Sequence, residues 1–155
     1  GEESKTLLYY KTKLYYNTNL DYMNNKTKKN KTTTQVYTQP IYGIKQVIVV
    51  VSNDINSLKK YIDKSIDLNR CTNADGLTFN NVTYKNKSSV CIYLDPSEFS
   101  DSVDNVSAHE SFHAASTILD CAGVKLCSNS EEAFAYLVGW INECVMKTYY
   151  KWLKK

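Results

Sequence analysis

The sequence predicts an α+β fold: a small mixed sheet packed on one helix near residues 102–119 and on a long C-terminal helix. Three observations predict it. Residues 44–52 are rich in Ile and Val and of strand length. Two shorter strand-like stretches, 77–84 and 88–94, flank Lys85-Asn86-Lys87 and read as a hairpin. Ala133, Leu137, Trp140, Ile141, Cys144, Val145 and Thr148 recur with a period near 3.6, the mark of one buried helix face.

The elements follow in order. Residues 6–16 are rich in Tyr, Leu and Thr, which suits one or two strands. Residues 17–34 are mostly Asn, Lys and Thr and predict a polar, mobile loop, because such a stretch buries little apolar surface. Gln39-Pro40 marks a break. After strand 44–52, Asn53 or Asp54 is placed to cap a helix carrying Ile55, Leu58, Ile62 and Ile66. Asp75-Gly76 is a turn signal before the hairpin, and Asp95-Pro96 ends it. The next helix starts near Ser102 and stops at Gly123. Ser128-Asn129-Ser130-Glu131 fits a capping box for the last helix, with Ser128 at the cap.

Bulk properties narrow the function. A chain of 155 residues suits a single domain, 1–155, and leaves no room for separate specificity domains. Hydrophobic residues at 43% and charged residues at 23% indicate a folded globular protein. A net charge of +3 is too mild to argue for nucleic acid. No run approaches the roughly 20 apolar residues that span a membrane. Gly1-Glu2-Glu3-Ser4-Lys5 has no apolar leader character. The five cysteines are odd in number and lack CxxC spacing, so reduced, mostly buried thiols in an intracellular setting are expected.

The chemistry concentrates at His109-Glu110-Ser111-Phe112-His113, which holds both histidines of the chain. On a helix, residues i and i+4 share a face, so two imidazoles there can converge on one zinc ion at about 2.0 Å. The alternative is a helix whose histidines pack or cap without metal. A catalytic zinc site needs a third protein ligand. Asp120 stands seven residues beyond His113, about 10 Å along the axis and too far, and Cys121 fails likewise. Glu143 lies about 16 Å down the last helix from Glu132. Glu131 and Glu132 remain. The capping box occupies Glu131, which favours Glu132 and leaves Glu131 as the fallback. Either could equally be an ordinary acidic residue at a helix N-terminus.

HExxH, eighteen residues, and then Glu132-Ala133-Phe134-Ala135 resembles the gluzincin pattern. The same stretch is similar to aminopeptidase-N-like enzymes and to ImmA/IrrE-type peptidases of mobile elements, and more loosely to small HExxH proteins of tailed phages. The resemblance spans roughly residues 105–142. It implies a zincin-like fold, a Zn2+ cofactor held by His109, His113 and Glu132, and peptide hydrolysis with Glu110 as general base. It also implies that the strand before the helix, Val90, Cys91, Ile92, Tyr93 and Leu94, forms the cleft rim on which an extended substrate pairs. A plain core strand is the competing reading. Tyr136, four residues after Glu132, is the candidate second electrophile, although packing is the commoner duty of a tyrosine. Tyr136 also departs from the pattern, since thermolysin-like enzymes carry there an Asp that orients a ligand histidine. The aminopeptidase Gly-x-Met-Glu-Asn segment is absent. The expected partner is a peptide or protein substrate, with neither nucleic acid nor membrane involved. The competing function is a zinc-stabilised structural or interaction protein, virion-associated or repressor-binding.

Overall fold

The computed structural model describes residues 30–38 and 42–155. The expected strands at 6–16, most of the 17–34 loop and the Gln39-Pro40 break lie outside them. Four strands form one sheet: β1 (Thr32–Thr38), β2 (Gln46–Ser52), β3 (Gly76–Tyr84) and β4 (Lys87–Leu94). Their spatial order is β1-β2-β4-β3, so β2 and β4 are interior and β1 and β3 are the edges. β2 and β4 run parallel; the two outer pairs are antiparallel. Two helices follow, α1 (Val103–Cys121) and α2 (Glu131–Leu153). The fold is thus mixed α+β, as expected.

Burial explains the unbroken apolar runs. Val47, Val49, Val51, Val90, Ile92 and Leu94 face α1 and α2, while Ile48, Val50, Cys91 and Tyr93 face Leu58, Ile62 and Leu68 on the other side. Both faces of the two interior strands are covered, so neither strand needs polar alternation. Each fully buried Val, Leu or Ile side chain contributes about 1.5–3 kcal/mol. On α2, Leu137, Ile141, Cys144, Val145 and Thr148 of the expected stripe are buried.

Several expectations are corrected. Thr32–Thr34, assigned to the mobile loop, begin β1: Thr33 is buried and Thr32 bonds Ser52 across the strands. The helix expected from residue 54 is a short 3-10 helix, Ile55–Lys60, followed by a second at Leu68–Cys71. Asp54 does cap the first, but Asp63 and Asp67 accept the Ser65 and Asn69 backbone N–H groups. These side-chain turns compete with helical bonding and break the segment. The capping box is absent. Ser130 precedes α2 instead, and its hydroxyl accepts the Cys127 N–H and reaches back to the Lys125 carbonyl. Of the five free cysteines only Cys91 and Cys144 are buried; Cys121 and Cys127 are exposed.

Other local readings hold. Lys85 and Asn86, both at positive φ, make the two-residue turn of the β3–β4 hairpin. Ser102 caps α1 by accepting the Asn105 N–H at 3.2 Å. Gly123, at φ +75°, closes α1 with crossed bonds from Gly123 N–H to Asp120 and from Val124 N–H to Leu119. No helix among the described residues is long and apolar enough to cross a membrane.

Candidate metal centre

α1 carries three kinds of surface. Val106, Ser107, Ser111, Ala114, Ala115, Ile118 and Leu119 are buried against the sheet and α2. Glu110, only 7% exposed, turns toward β3. His109 and His113 are exposed on the remaining face. The i, i+4 spacing brings their Nε2 atoms to 3.1 Å, with the rings edge to face at 74°. A tetrahedral zinc ion with Zn–N bonds of about 2.0–2.1 Å requires nitrogens about 3.3–3.4 Å apart. The pair is therefore within a few tenths of an ångström of the span a zinc ion needs.

Glu110 is held from two sides. Thr78 Oγ1 lies 2.5 Å from Glu110 Oε2 and 3.2 Å from the Glu110 carbonyl oxygen. Its one proton goes to the nearer, charged acceptor, because charge-assisted bonds are the stronger. Gly76, two residues earlier on the same strand face, leaves the room: a Cβ there would stand 2.8 Å from Glu110 Cγ and 3.1 Å from Oε1. Oε1 lies 4.0 Å from His109 Nε2. Thr78 and Gly76 went unnoticed in the sequence. The only signal was Asp75-Gly76, which reads equally well as a turn.

The third ligand is a different matter. Among the described residues, no group of three or more His, Cys, Asp or Glu side chains is gathered as a metal ion would need. Glu131 and Glu132 are both exposed in the first turn of α2. The capping argument that separated them falls with the capping box. Two contacts set their level relative to the motif. Phe112 and Phe134 have ring centroids 6.4 Å apart, and Ser107 Oγ bonds Asn142 Oδ1 at 2.5 Å. The helices therefore run antiparallel, and the two glutamates lie about 3–4.5 Å along the axis from Phe134, beside the His113 turn. Glu143 is engaged elsewhere, 2.6 Å from Lys147, whose pKa it raises.

The proposed substrate rim is corrected. Val90, Cys91, Ile92, Tyr93 and Leu94 are buried, and β4 has both edges paired, by β2 and β3. A strand with no free edge cannot accept a further strand. The edge strand beside the motif is β3. Tyr136 is 73% exposed on α2. A cleft of about 560 Å³ lined by Lys59, Ile62, Asp63, Ile66 and Leu68 includes no motif residue. No family model, curated protein or solved structure matches this chain at a significant level.

Proposed function

We propose that this chain is a zinc-dependent metallopeptidase of the HExxH type, with a zincin-like arrangement of sheet and helices. The observation that carries the proposal is the convergence of His109 and His113 Nε2 at 3.1 Å beside a largely buried carboxylate. His109 and His113 would hold Zn2+, with Glu132, or alternatively Glu131, as third ligand, supported by the level of the first turn of α2. When bound, zinc would supply Lewis acidity toward a peptide carbonyl and toward water. Glu110 acts as general base: one oxygen is tied by Thr78, and the other, 4.0 Å from His109 Nε2, takes a proton from the attacking water and returns it to the leaving amine. An extended peptide or protein substrate would pair with the edge of β3. Tyr136, exposed on α2, is the candidate second electrophile.

The burial of Glu110 favours one second reading. A carboxylate that pins α1 to β3 also serves a zinc-stabilised interaction protein with no turnover. Two measurements separate the readings. Purified chain, loaded with zinc chloride, should bind one equivalent, and His113→Ala should lose it; no uptake by wild type would end both. A quenched-fluorescent peptide library should then be cleaved by wild type and not by Glu110→Gln. Equal cleavage by the two, or none by wild type, would reject the peptidase.

A further inference from the structure

We infer that Thr78 is the positioning residue for Glu110, and that the backbone of Gly76 is the wall against which it holds that side chain. The inference rests on the peptidase reading for its catalytic meaning, but its geometric content stands apart from it. Glu110 leaves α1 toward an edge strand, where a long acidic side chain would ordinarily turn out to water. Here it lies in, 7% exposed. Two features of β3 on one strand face account for this. At Gly76 no side chain intervenes: a Cβ would come within 2.8 Å of both Glu110 Cγ and Val106 Cγ1, so the Glu110 methylenes lie directly along the strand backbone. At Thr78 the hydroxyl donates to Oε2 at 2.5 Å. The β-branched side chain has few rotamers, so the hydroxyl is presented in a set direction.

The division of labour between the carboxylate oxygens follows. Oε2 is consumed by the Thr78 proton. Oε1 remains, hemmed by Gly76 on one side and 4.0 Å from His109 Nε2 on the other. Thr78 therefore selects which oxygen lies toward His109 and removes the freedom of the carboxylate to swing. The Thr78 hydroxyl is engaged by Glu110 and acts through it.

The test compares wild type with Thr78→Val, which keeps the shape and loses the hydroxyl, and with Thr78→Ser, which restores it. Crystal structures should show Glu110 displaced in Thr78→Val, its nearer oxygen moved from His109 Nε2 by about 1 Å or more, and returned in Thr78→Ser. In cleavage of the peptide library, Thr78→Val should lower kcat on the order of 10–100-fold. KM and zinc affinity should stay within about twofold, and Thr78→Ser should recover most of kcat. If Thr78→Val fails to fold, Thr78→Ala carries the same comparison. Glu110 unmoved in Thr78→Val, or a fall in kcat and zinc affinity together with a rise in KM, would overturn the assignment. If wild type cleaves nothing, the peptidase reading fails and the crystallographic displacement alone decides the positioning claim.

Discussion

Replacing Gly76 by alanine tests the contact that seats Glu110 without replacing any ionisable residue. The added Cβ would meet Glu110 Cγ and Val106 Cγ1 at 2.8 Å each, where carbon atoms rest at about 3.5–4.0 Å. The overlap of roughly 0.7–1.2 Å must be relieved by moving Glu110, moving α1 or bending β3. Overpacking of this kind costs about 1–3 kcal/mol. Alanine returns about 0.4–1 kcal/mol by restricting the unfolded chain, since the φ of Gly76 is not in the left-handed region. At mid-range the net expectation is a loss of about 1.3 kcal/mol. For a domain of this length that lowers Tm by roughly 3–5 °C. Urea unfolding followed by the fluorescence of Trp140 and Trp152 measures it. In a Val106→Ala background one of the two collisions is gone, so the loss should shrink and the pair should be non-additive. A Gly76→Ala chain as stable as wild type, or equal losses in both backgrounds, would refute the close approach and with it the wall assigned to Glu110.

Three further outcomes follow from the same geometry. Hydrogen bonds from Ser130 and the Asn129 backbone hold the exposed Cys127 thiol below its usual pKa, while burial pushes Cys91 up to about 12 and Cys144 up to about 11. Iodoacetamide near neutral pH should label Cys127 ahead of the others, more slowly in Ser130→Ala, and should reach Cys91 and Cys144 only on unfolding, as peptide mapping would show. A thiol whose pKa is higher folded than unfolded keeps its proton longer in the native state, so stability should fall as pH rises from about 9 toward 12, and less steeply in Cys91→Ala when read by urea midpoint at each pH. Lys85 adopts φ 49° in the hairpin turn, and Lys85→Asn, a residue that tolerates this conformation, should raise stability by about 0.5 kcal/mol; an unchanged or lower urea midpoint would contradict the turn geometry.

Sequence periodicity disclosed the elements that end in local chemistry. The hairpin turn, Ser102, Gly123 and the α2 stripe all depend on neighbours within a few residues, and all are where spacing placed them. Residues 54–66 carry a helical apolar period because Leu58 and Ile62 are buried, while Asp63 and Asp67 redirect the backbone without altering that period. Thr32–Thr34 were missed because their polar composition says nothing of the pairing with β2 that orders them. At the site, HExxH was legible because both imidazoles lie on one helix. The setting of Glu110 was not, because it depends on Gly76 and Thr78, more than thirty residues earlier in the chain and adjacent only through the sheet. The error over β4 has the same origin: strand order is a long-range property, and an apolar run reads alike whether it lies at an edge or inside.

The parallel pairing of β2 with β4 also bears on how quickly the chain reaches its native state. The β3–β4 hairpin closes over two residues, and α1 and α2 meet across a short connection, so both can form early from local contacts. β2 must instead find β4 across the whole 3-10 segment and β3, with Gln46 meeting Ser89. That closure loses entropy before it gains contacts, and such non-local pairings slow folding. The pairing of β2 with β4 is therefore expected to be the slow step. A destabilising change in the hairpin, formed before that step, should then slow refolding and leave unfolding nearly unchanged; a change that acts mainly on unfolding would contradict this order. On that order the HExxH helix and the strand that seats Glu110 would assemble first, and the geometry around Glu110 would form before the sheet is complete.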